Sequence, residues 1–485
     1  MKKVIALFLF LSQISFAQKQ ANIWYFGNHA GVDFNSGVPV ALTDGQTYYV
    51  PSINGHCEGS SVICDSSGNL LFYSNGEKAW NRLHSVMPNG DSLLGSYSST
   101  QAALIIPKPG IGGDSLFYLF TIDGFYPFDS LYGLRYSVVN MCADNCLGDI
   151  VLASKNTILL DSCFEKLTVT KHSNGLDYWI IAHGFNSNNF FSFLLTSGGI
   201  TNSVITSIGA IHTSVTGEIG QMKVSPDGSH LALASGNNFN LMELYNFDNS
   251  TGQLSNYINL NSPTNDRSAY GVSFSPDNTK LYFRYSAPIA PYGILSQYDL
   301  NAGGGNPDSI RNSEYRVHEN NSPQYLGLQL GPNGKIYQVL DYNSEYLAVI
   351  NNPNLQGVSC SFQDSVIYLL GRTVNYTLPG TIDSYNFHNG LVSCQINGIN
   401  ESTSVEQNIS LFPNPATNHL SISSNQFAIN SIEIYDVVGE KCLTLTLSKG
   451  EGTALIDVSR LANGIYFVKA KTKDGIKTQK IIVQH

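Results

Sequence analysis

The sequence predicts an all-β protein, a β-propeller of about seven blades followed by a smaller β domain, and three observations carry that prediction. A strand, turn, strand unit recurs six times, at "GSSVICDSSGNLLFYSNG" from Gly59, "QAALIIPKPGIGGDSLFYLFTIDG" from Gln101, "EKLTVTKHSNGLDYWIIAHG" from Glu165, "GQMKVSPDGSHLALASG" from Gly220, "YGVSFSPDNTKLYFRYS" from Tyr270 and "YLGLQLGPNGKIYQVLD" from Tyr325. Each copy sets two runs rich in Val, Ile, Leu, Phe and Tyr around a turn of Ser, Pro, Asp, Asn and Gly, which is how a β-hairpin is written. The copies begin 42 to 64 residues apart, further strand-like runs follow several of them, and no long amphipathic helix pattern intervenes; about four strands in a period of about 40 to 50 is a propeller blade. The third observation is composition: 42% hydrophobic and 11% aromatic residues, with 27 Tyr and 24 Phe, supply a large core while only 13% of residues are charged.

Taken in order, the chain opens with "MKKVIALFLFLSQISFAQ", a basic start, an apolar run and small residues before a cut after Ala17. This reads as a secretory signal peptide, and its apolar run is too short to span a bilayer. Residues 18–399 hold the blades. The segments "NIWYFGNHAGVDF" from Asn22 and "DSVIYLLGRTVNYTLPGTIDSYNF" from Asp364 are left over from the six hairpins and together would build a seventh blade from both ends of the region, removing exposed sheet edges. A polar stretch, residues 400–409, then links to residues 410–485.

Charge is uneven along the chain. Residues 18–404 carry 16 Lys plus Arg against 29 Asp plus Glu, whereas residues 405–485 carry 8 against 7. The acidic region would repel phosphate backbones, so no nucleic acid partner is expected. Divalent cations, amines and neutral polymers suit it better. Export permits disulfides among the eight cysteines. Cys57 and Cys64 flank one extended strand, about 23 Å apart at about 3.3 Å per residue, and cannot pair. Cys142 with Cys146, and Cys360 with Cys394, are the candidate pairs.

Two resemblances follow. The turns "SPDGSHLA" and "SPDNTKLY" resemble hairpins of WD40-like and YVTN-like propellers, and "NIWYFGNHAGVDFNSGVPVALTDG" with "AWNRLHSVMPNG" resembles a group of secreted Bacteroidota propeller proteins. In the tail, Pro413-Asn414-Pro415, the strand and turn "EIYDVVGE", and Gly464-Ile465-Tyr466 before Lys-bearing strands resemble the type A C-terminal sorting domain of the type IX secretion system. That resemblance implies a small Ig-like β-sandwich, with Pro413, Asn414, Pro415, Gly464 and Tyr466 in the sorting signal. It also implies the outer-membrane translocon and its C-terminal signal peptidase as partners, and an address at the cell surface or beyond. Read from the residues alone, Lys469, Lys471 and Lys473 line the solvent face of a half-buried strand, with Phe467, Val468 and Ala470 as apolar cover.

Candidate chemistry is sparse. "GHCEG", residues 55–59, has the spacing of a nucleophile elbow with Cys57 at its centre, but an elbow needs a following helix and a hairpin follows here. His172 and His183 flank one hairpin and read as ordinary packed or surface histidines. "NFDNSTG", residues 246–252, begins like a calcium loop and lacks its later Glu, which favours an Asx turn. Trp24, Trp80 and Trp179 read as packing anchors. A shared register is more informative: ten residues before the Gly or Asn of each turn stand Glu58, Glu165, Glu218, Ser268 and Gln324, with Gln101 one place off. In a propeller these positions would ring one mouth of the central channel, where three glutamates could hold a cation or basic group. The plainer alternative is that they cap strand ends and bond neighbouring blades. No cofactor is expected, calcium being the one ion the ring would suit.

The expected function is therefore a secreted or surface-displayed binding or adhesion module for a glycan or protein. The alternative is an extracellular hydrolase or lyase working on polysaccharide at the acidic mouth, and fold alone does not decide between them.

Overall fold

The computed structural model describes residues 18–47, 57–110, 115–124, 133–213, 219–236, 241–261, 268–286, 292–322, 324, 326–384, 409–424, 429–437, 439–446, 453–472 and 475–485. The signal peptide, Glu218, Cys394, Lys473 and nearly all of the 400–409 linker lie outside them. The chain divides into two compact units, residues 1–396 and 397–485.

Among the described residues the larger unit holds seven antiparallel sheets, consecutive along the chain. The first is Ile23–Phe26, Ala30–Asp33 and Val40–Leu42, and the second is Ser61–Cys64, Leu70–Ser74 and Ala79–Asn81. The third has five strands, Ala103–Pro107, Leu116–Ile122, Leu134–Asn140, Asp149–Ile150 and Thr157–Leu160. So does the fourth, with Cys163–Lys171, Tyr178–Gly184, Ser187–Thr196, Gly199–Ile200 and Val204–His212. The remaining three have four strands each and begin with Met222–Val224, Ser268–Phe274 and Leu328–Leu330. All six hairpins read from the sequence form, as the pairs Val62 with Tyr73, Ile105 with Leu119, Val169 with Ile180, Lys223 with Ala232, Val272 with Phe283 and Gln329 with Tyr337 show.

The turn chemistry is the reason. Gly68, Gly175, Gly228 and Gly334 take positive φ of 72–90°, and Asn278 takes 63° in the same role, a region that Gly enters without strain and Asn tolerates. In the SPDG turn, Asp227 Oδ1 accepts from Ser225 Oγ at 2.6 Å and from Ser229 N at 3.0 Å, and Ser225 Oγ accepts from His230 N at 2.9 Å. The SPDN turn repeats these bonds through Ser275, Asp277, Thr279 and Lys280. Each Ser-Pro-Asp triplet thus holds its own turn through local bonds alone.

Adjacent sheets pack through apolar clusters: Tyr25 with Val62 between the first two, Phe72 with Phe117 at 5.6 Å between the second and third, and Phe190 with Tyr245 at 5.0 Å between the fourth and fifth. Trp24 of the first sheet meets Tyr337 of the seventh edge to face at 5.5 Å, so the last sheet packs on the first. Burying each such side chain contributes about 1.5–3 kcal/mol. Residues 373–380 complete this junction. Thr373 O accepts from Asn28 N at 2.8 Å, Tyr376 O from Gly327 N at 2.7 Å, and Gly380 N donates to Ser60 O at 2.7 Å. This is propeller-like packing.

The smaller unit has a three-stranded sheet, Ile409–Phe412, His419–Ser424 and Thr453–Asp457, and a four-stranded sheet in the order Lys441–Thr446, Ile429–Tyr435, Gly464–Thr472, Gly475–Val483. Leu420, Ile422, Ile432, Ile434, Val468 and Ile481 fill the core between them. Along Gly464–Thr472, Tyr466, Val468 and Ala470 point inward and Lys469 and Lys471 outward. Phe467 shares the lysine side, half-buried, because a strand alternates faces at every residue.

Candidate functional site

The innermost strands of the larger unit carry polar side chains at their starts, and most of them serve the backbone. Ser61 Oγ accepts from Ile105 N at 3.1 Å and donates to Gly380 O at 2.9 Å. Gln101, 8% exposed, accepts from Leu167 N at 3.2 Å and Met222 N at 2.9 Å and donates to Met222 O at 3.1 Å. Gln221 repeats this two junctions on, accepting from Val272 N at 3.2 Å and Leu328 N at 3.0 Å. Each glutamine spans three successive sheets. Gln101 is thereby a clamp between sheets. Gln324 is exposed beside the seventh sheet and makes no part of the cluster described next, and Glu218 lies outside the described residues.

Glu58 and Glu165 are near enough for the charge of one to act on the other. Glu58 precedes the inner strand of the second sheet; its Oε1 accepts from Ser98 Oγ at 3.1 Å and its Oε2 from Tyr270 Oη at 2.9 Å. Glu165, in the first strand of the fourth sheet and 2% exposed, accepts from Thr100 N at 2.8 Å and Thr100 Oγ1 at 3.0 Å. Thr100 Oγ1 also lies 3.2 Å from Gly220 N. Burial pushes the Glu58 carboxyl well above the usual carboxylate range, the negative charge of Glu165 adds to the rise, and the bonds from Tyr270 and Ser98 oppose it. Burial and the two carboxylates push the Tyr270 phenol up in turn. Glu58 is partly exposed. A carboxyl whose pKa is raised beside a second acid is suited to donate a proton or a hydrogen bond.

The sequence does not announce Tyr270, Ser98 or Thr100, since none carries a pattern of its own. A second buried group was equally hidden. His183 faces not His172 but His212, their ring centroids 4.4 Å apart, and His212 Nε2 lies 3.1 Å from Glu243 Oε2, which also accepts from Tyr245 Oη at 2.9 Å. His172 sits by Trp179 with its Nδ1 accepting from Asn174 N at 3.0 Å. A third group joins Lys223, whose Nζ donates to Gln329 Oε1 at 2.5 Å and lies 3.6 Å from Asp383 Oδ1; Gln329 Nε2 donates to that same oxygen at 2.8 Å.

The other candidates take plain roles. Cys57 is fully buried, followed by the strand Ser61–Cys64, and burial, then the charges of Glu77 and Glu58, push its thiol up, away from nucleophilic use. Asp248 caps an Asx turn, accepting from Ser250 N at 2.9 Å. Trp24, Trp80 and Trp179 are buried. Among the described residues no disulfide joins Cys142 to Cys146; Asp144, Asn145 and Cys146 are three successive left-handed residues in the turn between them. Among the described residues no three His, Cys, Asp or Glu side chains stand together as metal ligands, and no helix is long and apolar enough to cross a membrane.

In the tail, Phe412-Pro413 and Asn414-Pro415 are both cis. Asn414 clasps the last strand, its Oδ1 accepting from Ile482 N at 2.8 Å and its Nδ2 donating to Lys480 O at 3.4 Å. Gly464 opens the strand on which Tyr466 is buried with its hydroxyl on Ala462 O at 2.9 Å.

Residues 410–484 match the family model of the secretion system C-terminal sorting domain. The tail therefore marks the protein for export by the type IX system, to the outer-membrane surface or the exterior. No curated protein matches the chain. Among solved structures it is similar to a putative 6-phosphogluconolactonase from Bacteroides uniformis (12% identity, 74% of this chain and 98% of that one, TM-score 0.43). It is also similar to a periplasmic gluconolactonase from Pseudomonas aeruginosa (10%, 90% and 99%, TM-score 0.37) and to the Dos1 propeller (13%, 80% and 84%, TM-score 0.31).

Proposed function

We propose that the protein is a surface-delivered seven-bladed propeller, its ring shut by strands from both ends of residues 18–399 and carried by an Ig-like sorting sandwich, and that it acts as a binding or adhesion module for an extracellular glycan or protein. The observation that carries the binding reading is the pair Tyr346 and Tyr368 on the two outer strands of the seventh sheet. Their rings lie 5.0 Å apart and are 38% and 45% exposed, and an open aromatic face of this kind stacks on sugar rings or anchors a protein partner. An array of glycans and extracellular proteins, probed with the mature chain and with Tyr346→Ala/Tyr368→Ala, tests it. At least one ligand weakened by the double variant supports the tyrosine pair; an array on which the double variant weakens no ligand counts against that pair, and an array with no ligand at all counts against the reading.

One observation favours a second reading, an extracellular hydrolase or lyase acting on polysaccharide. The carboxyl of Glu58, raised by burial and by the charge of Glu165, is the kind of pairing that acid catalysis uses. Turnover of polysaccharide by the wild type, abolished in Glu58→Gln, would establish it. Calcium is the ion proposed for the mouth, and a rise in Tm on adding calcium, lost in Glu58→Gln, is its measure.

A further inference from the structure

The third and fourth sheets differ from the other five in carrying a fifth strand each among the described residues, and residues of both added segments line one open cleft of about 440 Å³. Thr157, Ile158 and Leu159 of the strand Thr157–Leu160 form part of its lining, and Ile200 of Gly199–Ile200 with the following Thr201, Asn202 and Ser203 forms another part. Tyr136 and Phe193, from the parent strands, complete it. Seven of the nine lining residues thus come from the added strands and the loop after them, chain that the remaining sheets do without.

The chemistry of the lining is uniform. None of the nine side chains carries a charge. Phe193, Leu159 and Ile200 give an apolar floor, with Leu159, Ile200 and Tyr136 packed against the main core, so the floor is fixed. Tyr136 is further held by Tyr118, ring centroids 5.5 Å apart. The groups left over are polar and neutral: the Tyr136 hydroxyl, the Asn202 amide and the Ser203 hydroxyl make no hydrogen bond to protein among the described residues, whereas Thr157 Oγ1 and Thr201 Oγ1 are spent on Ser154 O and Asn202 O. A concave site with a rigid apolar and aromatic floor and a few convergent neutral donors and acceptors, within the usual range of about 300–1,000 Å³, matches a ligand that presents one apolar face and a rim of hydroxyls. An anionic ligand would find no cation there, on a chain of net charge −10.

We infer that this cleft binds a segment of neutral oligosaccharide. The inference rests on the binding reading above and adds to it a place and a ligand class, separate from Tyr346, Tyr368 and the Glu58 group. The test is calorimetric titration of the mature full-length protein with four neutral tetrasaccharides, cellotetraose, xylotetraose, maltotetraose and mannotetraose, and with tetragalacturonate as the anionic counterpart. At least one neutral tetrasaccharide is expected to bind and tetragalacturonate to fail. Asn202→Ala and Thr201→Arg, both on exposed loop positions, are expected to weaken that binding at least tenfold, about 1.4 kcal/mol, with Tm unchanged. Binding that both cleft variants retain, preferred binding of tetragalacturonate, or no binding of the four neutral probes overturns the cleft assignment. If the array still yields a ligand in that case, the binding reading stands without the cleft; if the array is blank as well, both fall.

Discussion

The Tyr270 hydroxyl lies 2.9 Å from Oε2 of Glu58, a residue 212 positions earlier in the chain, and so ties the sixth sheet to the second. Tyr270→Phe removes a buried donor and is expected to cost about 1–3 kcal/mol in chemical denaturation. The pH dependence has a definite sign. Glu58 is raised in the folded state, and Glu77 is pushed up to about 7, mainly by burial. Both favour folding fully below the ordinary carboxyl range, and their contribution is lost as pH rises through the folded values. Glu58→Gln should therefore flatten the decline in Tm between pH 5 and pH 8. An unchanged slope would remove Glu58 from the account.

His183 acts in the opposite direction. Burial, then the neighbouring His212 and Lys166, hold its imidazole well below the ordinary value of 6.5. The groups around it include Glu243, bonded to His212 and Tyr245, and the ring of Phe164. A base with a depressed folded pKa gives stability that is complete above its unfolded value and is lost as pH falls below it. Tm is expected to drop between pH 7 and pH 5, and His183→Gln should lessen that drop even if it lowers Tm throughout.

Lys223 and Asp383 are both buried, 3.6 Å apart, with Gln329 bridging them. Removing one partner strands the other, so Lys223→Met should cost about 3–5 kcal/mol. Lys223→Met/Asp383→Leu should be less destabilised than the sum of its single variants, because no buried charge is left unpaired. Strict additivity in the cycle would show that the pair is not coupled.

Export is expected to fail without the tail. Deleting residues 410–485 should leave the protein in the periplasm, detected by fractionation and surface labelling. Asn414→Ala, which loses the clasp on Ile482 and Lys480, should lower the Tm of the tail's own transition; normal surface display of the truncated chain would contradict the assignment.

The sequence is legible where structure is local. The hairpins could be read because Ser225, Asp227 and Gly228 complete their turn within six residues, and the left-handed positions fall where Gly and Asn stand. Glu58 and Glu165 can be paired from the sequence because a common offset from the turn gives them like positions at the second and fourth sheets. Gln101 defeated that reasoning: a glutamine that binds a ligand and one that clamps backbone look alike until Leu167 and Met222 are seen beside it. Tyr270, His212 and Glu243 had no signal at all, since their partners are brought by tertiary packing from 31 to 212 residues away.

The contacts of residues 373–380 with Asn28, Ser60 and Gly327 also set a schedule. Hairpins can form as soon as each emerges, but the first, second and seventh sheets wait for a stretch that is synthesised and exported near the end of the larger unit. Loop-closure entropy across almost the whole of that unit must be met before those contacts return anything. Docking of the seventh sheet and of residues 373–380 against the first two sheets is therefore expected to be the slow step of folding.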